Sequence, residues 1–201
     1  MSCNVRIFVF NDVEVLDFAG PYEVFTTASR VSKRQQPNSP DPFTVFTVAQ
    51  TTTVVRARAG LKVFPDYDLM NHPKIDLLLI PGGVVTSELE KPGLIRWIVA
   101  TAEKSRLTAS VCTGAFLLAK AGLLDGKSAT THWEDIADLR AMFPLVTVIE
   151  QGRWVDEGSV VTSAGISAGI DMSLHLVERL VDRELAERTA RQMEFDWTEN
   201  A

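Results

Sequence analysis

Ile75-Asp76-Leu77-Leu78-Leu79-Ile80-Pro81-Gly82-Gly83 decides the fold of this chain. Five of its first six residues are apolar, with no alternation that would turn one face to water. Such a run suits a strand buried on both faces, as in a parallel sheet covered by helices. Pro81, Gly82 and Gly83 then end it with turn chemistry. Working outward, residues 107–111 give another short strand, and residues 94–104 between the two are amphipathic with helical spacing. Upstream, residues 5–10 read as a strand and 20–31 as a helix, with Pro21 near its start and Val24, Phe25 and Ala28 on one face. Residues 43–49 are the next strand, and 54–58 with 61–64 form a hairpin about Ala59-Gly60. Downstream come a helix over 113–121 closed by Gly122, a short strand over 128–131 and a helix over 133–142. Strands over 146–149 and 160–163 and helices over 166–180 and 185–193 complete the pattern. Strand–helix alternation of this kind predicts an α/β sandwich around a mostly parallel sheet, with helices on both faces.

The chain has 201 residues, 46% hydrophobic and 23% charged, which predicts one domain spanning residues 1–201. A domain of that size buries roughly 70% of its unfolded surface and needs no metal or disulfide to fold. The polar, proline-bearing stretch 33–42 reads as a surface loop rather than a linker. Two cysteines, Cys3 and Cys112, make no disulfide framework and fit a reducing cytosol. Met1-Ser2-Cys3-Asn4 is not the start of a secretory leader, and no apolar run is long enough to span a membrane. The expectation is a cytoplasmic protein with no membrane contact. A formal net charge of −6 argues against a nucleic-acid partner, which calls for a basic face.

In open α/β sheets, sites form at the carboxyl ends of the strands. The residues there are Asp17, Gly82 and Gly83, Cys112, His132 and the stretch 163–167. Ser110-Val111-Cys112-Thr113-Gly114 places a cysteine on a strand-to-helix corner, the layout of a nucleophile elbow. The helix N-terminus would favour thiolate over thiol and depress the Cys112 pKa. Gly114 allows close backbone approach, and the Thr113 N–H points where negative charge would develop. The bland alternative is that Cys112 is a small buried hydrophobe, the reading that suits Cys3. Gly82 and Gly83 are either an ordinary turn or a second oxyanion donor. For proton handling, His132 is a Cys–His partner or a structural residue. Asp17, among Val15, Leu16 and Phe18, is either an acid with a raised pKa or a helix cap. Glu23 is the other acid on the following helix. His72 and His175 read as surface or packing residues. No metal-ligand spacing, dinucleotide fingerprint or phosphate-binding loop is present, so no metal and no cofactor are expected.

Residues 15–25 (VLDFAGPYEVF), Pro81-Gly82-Gly83, 110–125 (SVCTGAFLLAKAGLLD), 126–133 (GKSATTHW) and 162–171 (TSAGISAGID) together resemble the ThiJ/PfpI family of the class I glutamine-amidotransferase-like superfamily. The resemblance implies a flavodoxin-like sandwich and a homodimer. It is strongest to the branch that hydrates isonitriles, where an elbow cysteine, an aspartate on the first loop and a threonine after the cysteine match Cys112, Asp17 and Thr113. Peptidase members carry histidine after the cysteine, and the glyoxalase-like branch carries glutamate on the first loop. The implied small-molecule reaction is hydration of R–N≡C to an N-substituted formamide without a cofactor. Cys112 attacks carbon, a proton reaches nitrogen to give a thioimidate, and water releases the product. Asp17 would move protons, and the Thr113 and Gly83 N–H groups would orient the adduct. The alternatives are another cysteine-dependent enzyme, a glyoxalase or an amide hydrolase, or a ligand- or redox-sensing module. The last would be like the AraC-type regulator domain, and the end of the chain at Ala201 leaves no room for a DNA-binding half.

Overall fold

The computed structural model of the chain describes residues 2–199. The strands are β1 (Cys3–Phe8), β2 (Phe43–Ala49), β3 (Val55–Arg56), β4 (Lys62–Val63), β5 (Tyr67–Asp68), β6 (Leu77–Ile80), β7 (Leu107–Val111), β8 (Ser128–Ala129), β9 (Thr147–Val148), β10 (Trp154–Asp156) and β11 (Val160–Ser163). The helices are α1 (Val15–Gln35), α2 (Thr86–Leu89), α3 (Pro92–Ala102), α4 (Gly114–Lys120), α5 (Ile136–Met142), α6 (Ala168–Leu180) and α7 (Arg183–Gln192). The main sheet runs β10-β11-β7-β6-β1-β2-β5. Its pairs are parallel except β10 with β11. Every residue of β6 and β7 is buried; β6 is an unbroken apolar run, and in β7 Thr108 and Ser110 are buried along with Leu107, Ala109 and Val111.

From β1 the chain steps to β2 on one side and later to β6 on the other. Right-handed crossovers then place α1 on one face and α3 on the opposite one. Helices α6 and α7 return to pack on α1, while α2 and α3 pack on α4. The order reverses beside β1, and at such a switch point the loops diverge to leave a crevice. The loops after β1 and β6 meet there, with Val13 bridging Gly83.

Several elements differ from the sequence reading. Helix α1 starts at Val15, not at residue 20, because the Glu14 side chain caps it by accepting the Val15 N–H at 3.2 Å. Pro21 is therefore inside the helix, and the Asp17 carbonyl four residues earlier goes without its usual N–H partner. The 133–142 helix divides into a 3-10 turn (Trp133–Asp135) and α5. The strands β8 and β9 pair with each other, apart from the main sheet. Edge strands β5 and β10 are two and three residues long, too short to show a period.

Candidate active site

Cys112 follows the last residue of β7 and precedes α4 by one residue. Its φ is +55°, in the left-handed region that costs a non-glycine residue energy. The strain is held by neighbours. The Cys112 N–H donates to Ser163 O at 3.1 Å, and its carbonyl accepts the Thr131 hydroxyl at 2.9 Å. Gly114 is required, since a Cβ there would sit 2.1 Å from the Ile80 carbonyl oxygen. The elbow is thus pressed against the end of β6.

The loop after β6 then ties two side chains to the cysteine. The Gly82 N–H donates to Asp17 Oδ2 at 3.0 Å. The Gly83 N–H donates to Thr113 Oγ1 at 2.9 Å, and that hydroxyl donates back to Gly83 O at 2.9 Å. Both N–H groups are engaged, which departs from the expectation that Gly82 and Gly83 present free donors to a substrate. They position Asp17 and Thr113 instead. A Cβ on Gly82 would lie 2.6 Å from both Thr113 N and Oγ1 and 2.9 Å from Asp17 Oδ2, so only glycine fits.

Asp17 is wholly buried, on the first turn of α1, and does not cap the helix. No donor sits in hydrogen-bonding geometry with its Oδ1 among the described residues. Burial pushes its carboxyl up to about 7; the Gly82 N–H opposes this and the charge of Glu14 adds to it, with the Cys112 thiol and Ile166 N–H also favouring the ionised form. Burial likewise pushes the Cys112 thiol up to about 12, reinforced by the Asp17 charge and opposed by the Thr113 N–H. The expected depression of the cysteine pKa is corrected. Helix α4 has only seven residues, and its field does not outweigh a desolvated thiol beside a carboxyl group. Burial and the neighbouring carboxyl both favour the neutral thiol over the thiolate here.

A cleft of about 220 Å³ opens on Cys112 and Thr113. Glu14 and Arg58, paired at 3.4 Å, line the cleft together with Gly83, His132, Glu134, Asp135 and Ile166. His132 Nδ1 accepts the Glu134 N–H at 3.4 Å, with Asp135 Oδ2 at 3.5 Å and Glu134 Oε2 at 3.7 Å. Among the described residues no hydrogen bond joins His132 to Cys112 or Asp17. Its ring rests on Gly165, where a Cβ would come within 2.0 Å of it. Glu23 is not at the site. Its carboxylate accepts the Thr27 hydroxyl and Arg30 guanidinium on the outer surface of α1, both at 2.8 Å. The sequence reading missed Glu14, Arg58, Glu134, Asp135 and Ile166. Ile166 also has a positive φ, +52°, which no sequence pattern announces.

A sequence profile described as the DJ-1/PfpI family matches residues 3–179. Isonitrile hydratase of Pseudomonas putida is 31% identical over 97% of this chain and 79% of its own. The HTH-type transcriptional regulator GbdR of Pseudomonas aeruginosa is 30% identical over 91% of this chain, which spans about half (48%) of the regulator. A ThiJ/PfpI family protein from Pseudomonas syringae superposes with a TM-score of 0.84, at 26% identity, over 98% of this chain and 76% of that one. No helix is long and apolar enough to cross a membrane among the described residues.

Proposed function

The chain belongs to the DJ-1/PfpI family, and we propose that within it this protein is a cysteine-dependent isonitrile hydratase acting on a small molecule. The observation that carries the reading is the buried Asp17 fixed by Gly82 beside Cys112, with Thr113 clamped to Gly83. This supplies a nucleophile and one group that both takes and returns a proton near neutrality. Similarity to isonitrile hydratase over nearly the whole chain supports the same choice.

The steps balance as follows. Asp17 takes the Cys112 proton as Sγ attacks the terminal carbon of R–N≡C. That carbon gains the S–C bond and, from the protonated Asp17, the C–H bond, giving the thioimidate R–N=CH–S–Cys112. The first proton therefore goes to carbon and not to nitrogen, because the electron pair left by attack resides there. Water then adds to the thioimidate carbon while nitrogen takes a proton. Collapse of the adduct through Asp17 expels the sulfur, returning Cys112 as the thiol and releasing R–NH–CHO. The Thr113 N–H, which already favours negative charge on Sγ, is the backbone donor left to steady the developing charge. We extend the reading to a homodimer in the cytoplasm.

Likeness to the regulator favours a second reading, a ligand-sensing module. Side-by-side assays with a small alkyl isonitrile, methylglyoxal and a simple amide separate the possibilities. Formamide from the isonitrile alone is expected. Binding without turnover of any of the three would overturn the hydratase reading in favour of sensing, and turnover of another substrate in favour of a different cysteine enzyme.

A further inference from the structure

The cleft above Cys112 has an uneven charge. Glu14 is offset by Arg58 at 3.4 Å, so that pair brings no net charge. Glu134 and Asp135 are different. Both line the cleft, and among the described residues no lysine or arginine pairs with either. Their one nitrogen neighbour is His132 Nδ1, 3.5 Å from Asp135 and 3.7 Å from Glu134. That nitrogen already faces the Glu134 backbone N–H, so in the neutral ring it accepts rather than donates. The Asp135 side chain is about one-third exposed and the Glu134 side chain about two-thirds exposed (33% and 64%), so one anion is partly desolvated and the other reaches outward. Burial pushes the Asp135 carboxyl above its ordinary pKa, the mark of a carboxylate short of compensating charge.

We propose that Glu134 and Asp135 select the R group by charge: the cleft admits small substrates carrying a cationic or hydrogen-bond-donating R group and rejects those carrying a carboxylate. The inference rests on Cys112 being the reacting atom, as in the hydratase reading, and adds the substrate class to it. Charge is the natural discriminator here because about 220 Å³ leaves room for only a small R group and little apolar contact. A unit charge several ångströms from another in a half-solvated cleft changes a rate by roughly tenfold. The preference also weakens with salt, since Glu134 is exposed.

The test uses the full chain with Cys3→Ser as background, so that only Cys112 reports. Cys112 is labelled with aminoethyl methanethiosulfonate, a cation, and with sulfonatoethyl methanethiosulfonate, an anion, and the rates are compared with those of free cysteine. The cation-to-anion ratio at Cys112 is expected to exceed the free-cysteine ratio by about tenfold or more. Glu134→Gln with Asp135→Asn should bring it down to near the free-cysteine ratio. Glu134→Lys alone, at an exposed position that does not burden the fold, should lower it by threefold or more. A ratio equal to that of free cysteine, or one that neither variant moves, overturns the proposal. A second arm compares isonitriles with ammonium and carboxylate tails, with the ammonium form expected to have the higher kcat/KM. Labelling selectivity without turnover of either isonitrile would sustain the charge preference and defeat the hydratase reading, so the two failures are distinct.

Discussion

The two sides of the Cys112 cleft are built differently. On the Asp17 side, the Gly82 and Gly83 N–H groups hold the Asp17 carboxylate and the Thr113 hydroxyl in a connected set, and Asp17 is wholly buried. On the His132 side, the imidazole makes one long hydrogen bond of 3.4 Å, and its carboxylate neighbours are one-third and two-thirds exposed. The first side fixes geometry to the ångström, as bond-making needs. The second gives a field without a fixed arrangement, which suits selection of what approaches. The contrast teaches that proximity to the cysteine in sequence is a poor guide: Asp17 comes from the first turn of α1, while His132, twenty residues on, makes no hydrogen bond to Cys112 among the described residues.

Variants break or sharpen this contrast. Cys112→Ala should abolish turnover in an isonitrile assay while leaving the circular dichroism spectrum unchanged; residual activity near that of the unmodified protein would remove Cys112 from the chemistry. Asp17→Asn should cost ~10²–10⁴-fold in kcat, the range for losing a general acid–base group. It should also erase a rising limb of kcat/KM near pH 7, where the Asp17 carboxyl titrates.

The same substitution should have the opposite effect on stability. Burial raises the folded-state pKa of Asp17 from 3.8 to about 7. Between those values the folded chain holds a proton the unfolded one has lost, so stability falls as pH rises through that window. The burden is complete above pH 7 and of order 4 kcal/mol at most. Denaturant unfolding should therefore find Asp17→Asn more stable than the unmodified protein at pH 8 and no more stable at pH 4. A destabilised variant at pH 8 would mean that the carboxylate is better compensated than its surroundings indicate.

Gly82→Ala strikes the same set by sterics, without replacing a titrating group. Its Cβ would meet Thr113 and Asp17 at 2.6 and 2.9 Å, and a displacement of that kind should lower kcat by ~10²-fold, with Cys112 still open to iodoacetamide. His132→Asn should lose less than about tenfold, measured the same way. If its loss exceeds that of Asp17→Asn, the two sides exchange roles. Cys3→Ser should leave kcat unchanged within twofold, since Cys3 sits at the start of β1, at the opposite end of the strand from the loop that leads to Asp17.

Much of this was legible in the sequence because it depends on local pattern. The unbroken apolar run of β6 announced the parallel sheet, and the change of pattern at Cys112 announced the elbow. What was hidden depends on contacts across the chain. Pro21 reads as a helix start, which begins α1 five residues late and leaves a cap role open for Asp17. Glu23 was then kept as a rival acid, although the true helix phase turns it to Thr27 and Arg30. Arg58 reaches Glu14 from a hairpin loop 44 residues away, a distance no motif spans. The Gly82 and Gly83 N–H groups looked free because their acceptors, Asp17 and Thr113, come from other segments.

The covalent step is the centre of the account. The direct measurement is the intact mass of the protein, quenched in acid during turnover of a small alkyl isonitrile. A species heavier by the full mass of the isonitrile is expected, because the thioimidate keeps every atom of both reactants. It should map to Cys112 and vanish when the substrate is exhausted. Accumulation of formamide with no change in protein mass, or an adduct that maps to Cys3, would contradict it.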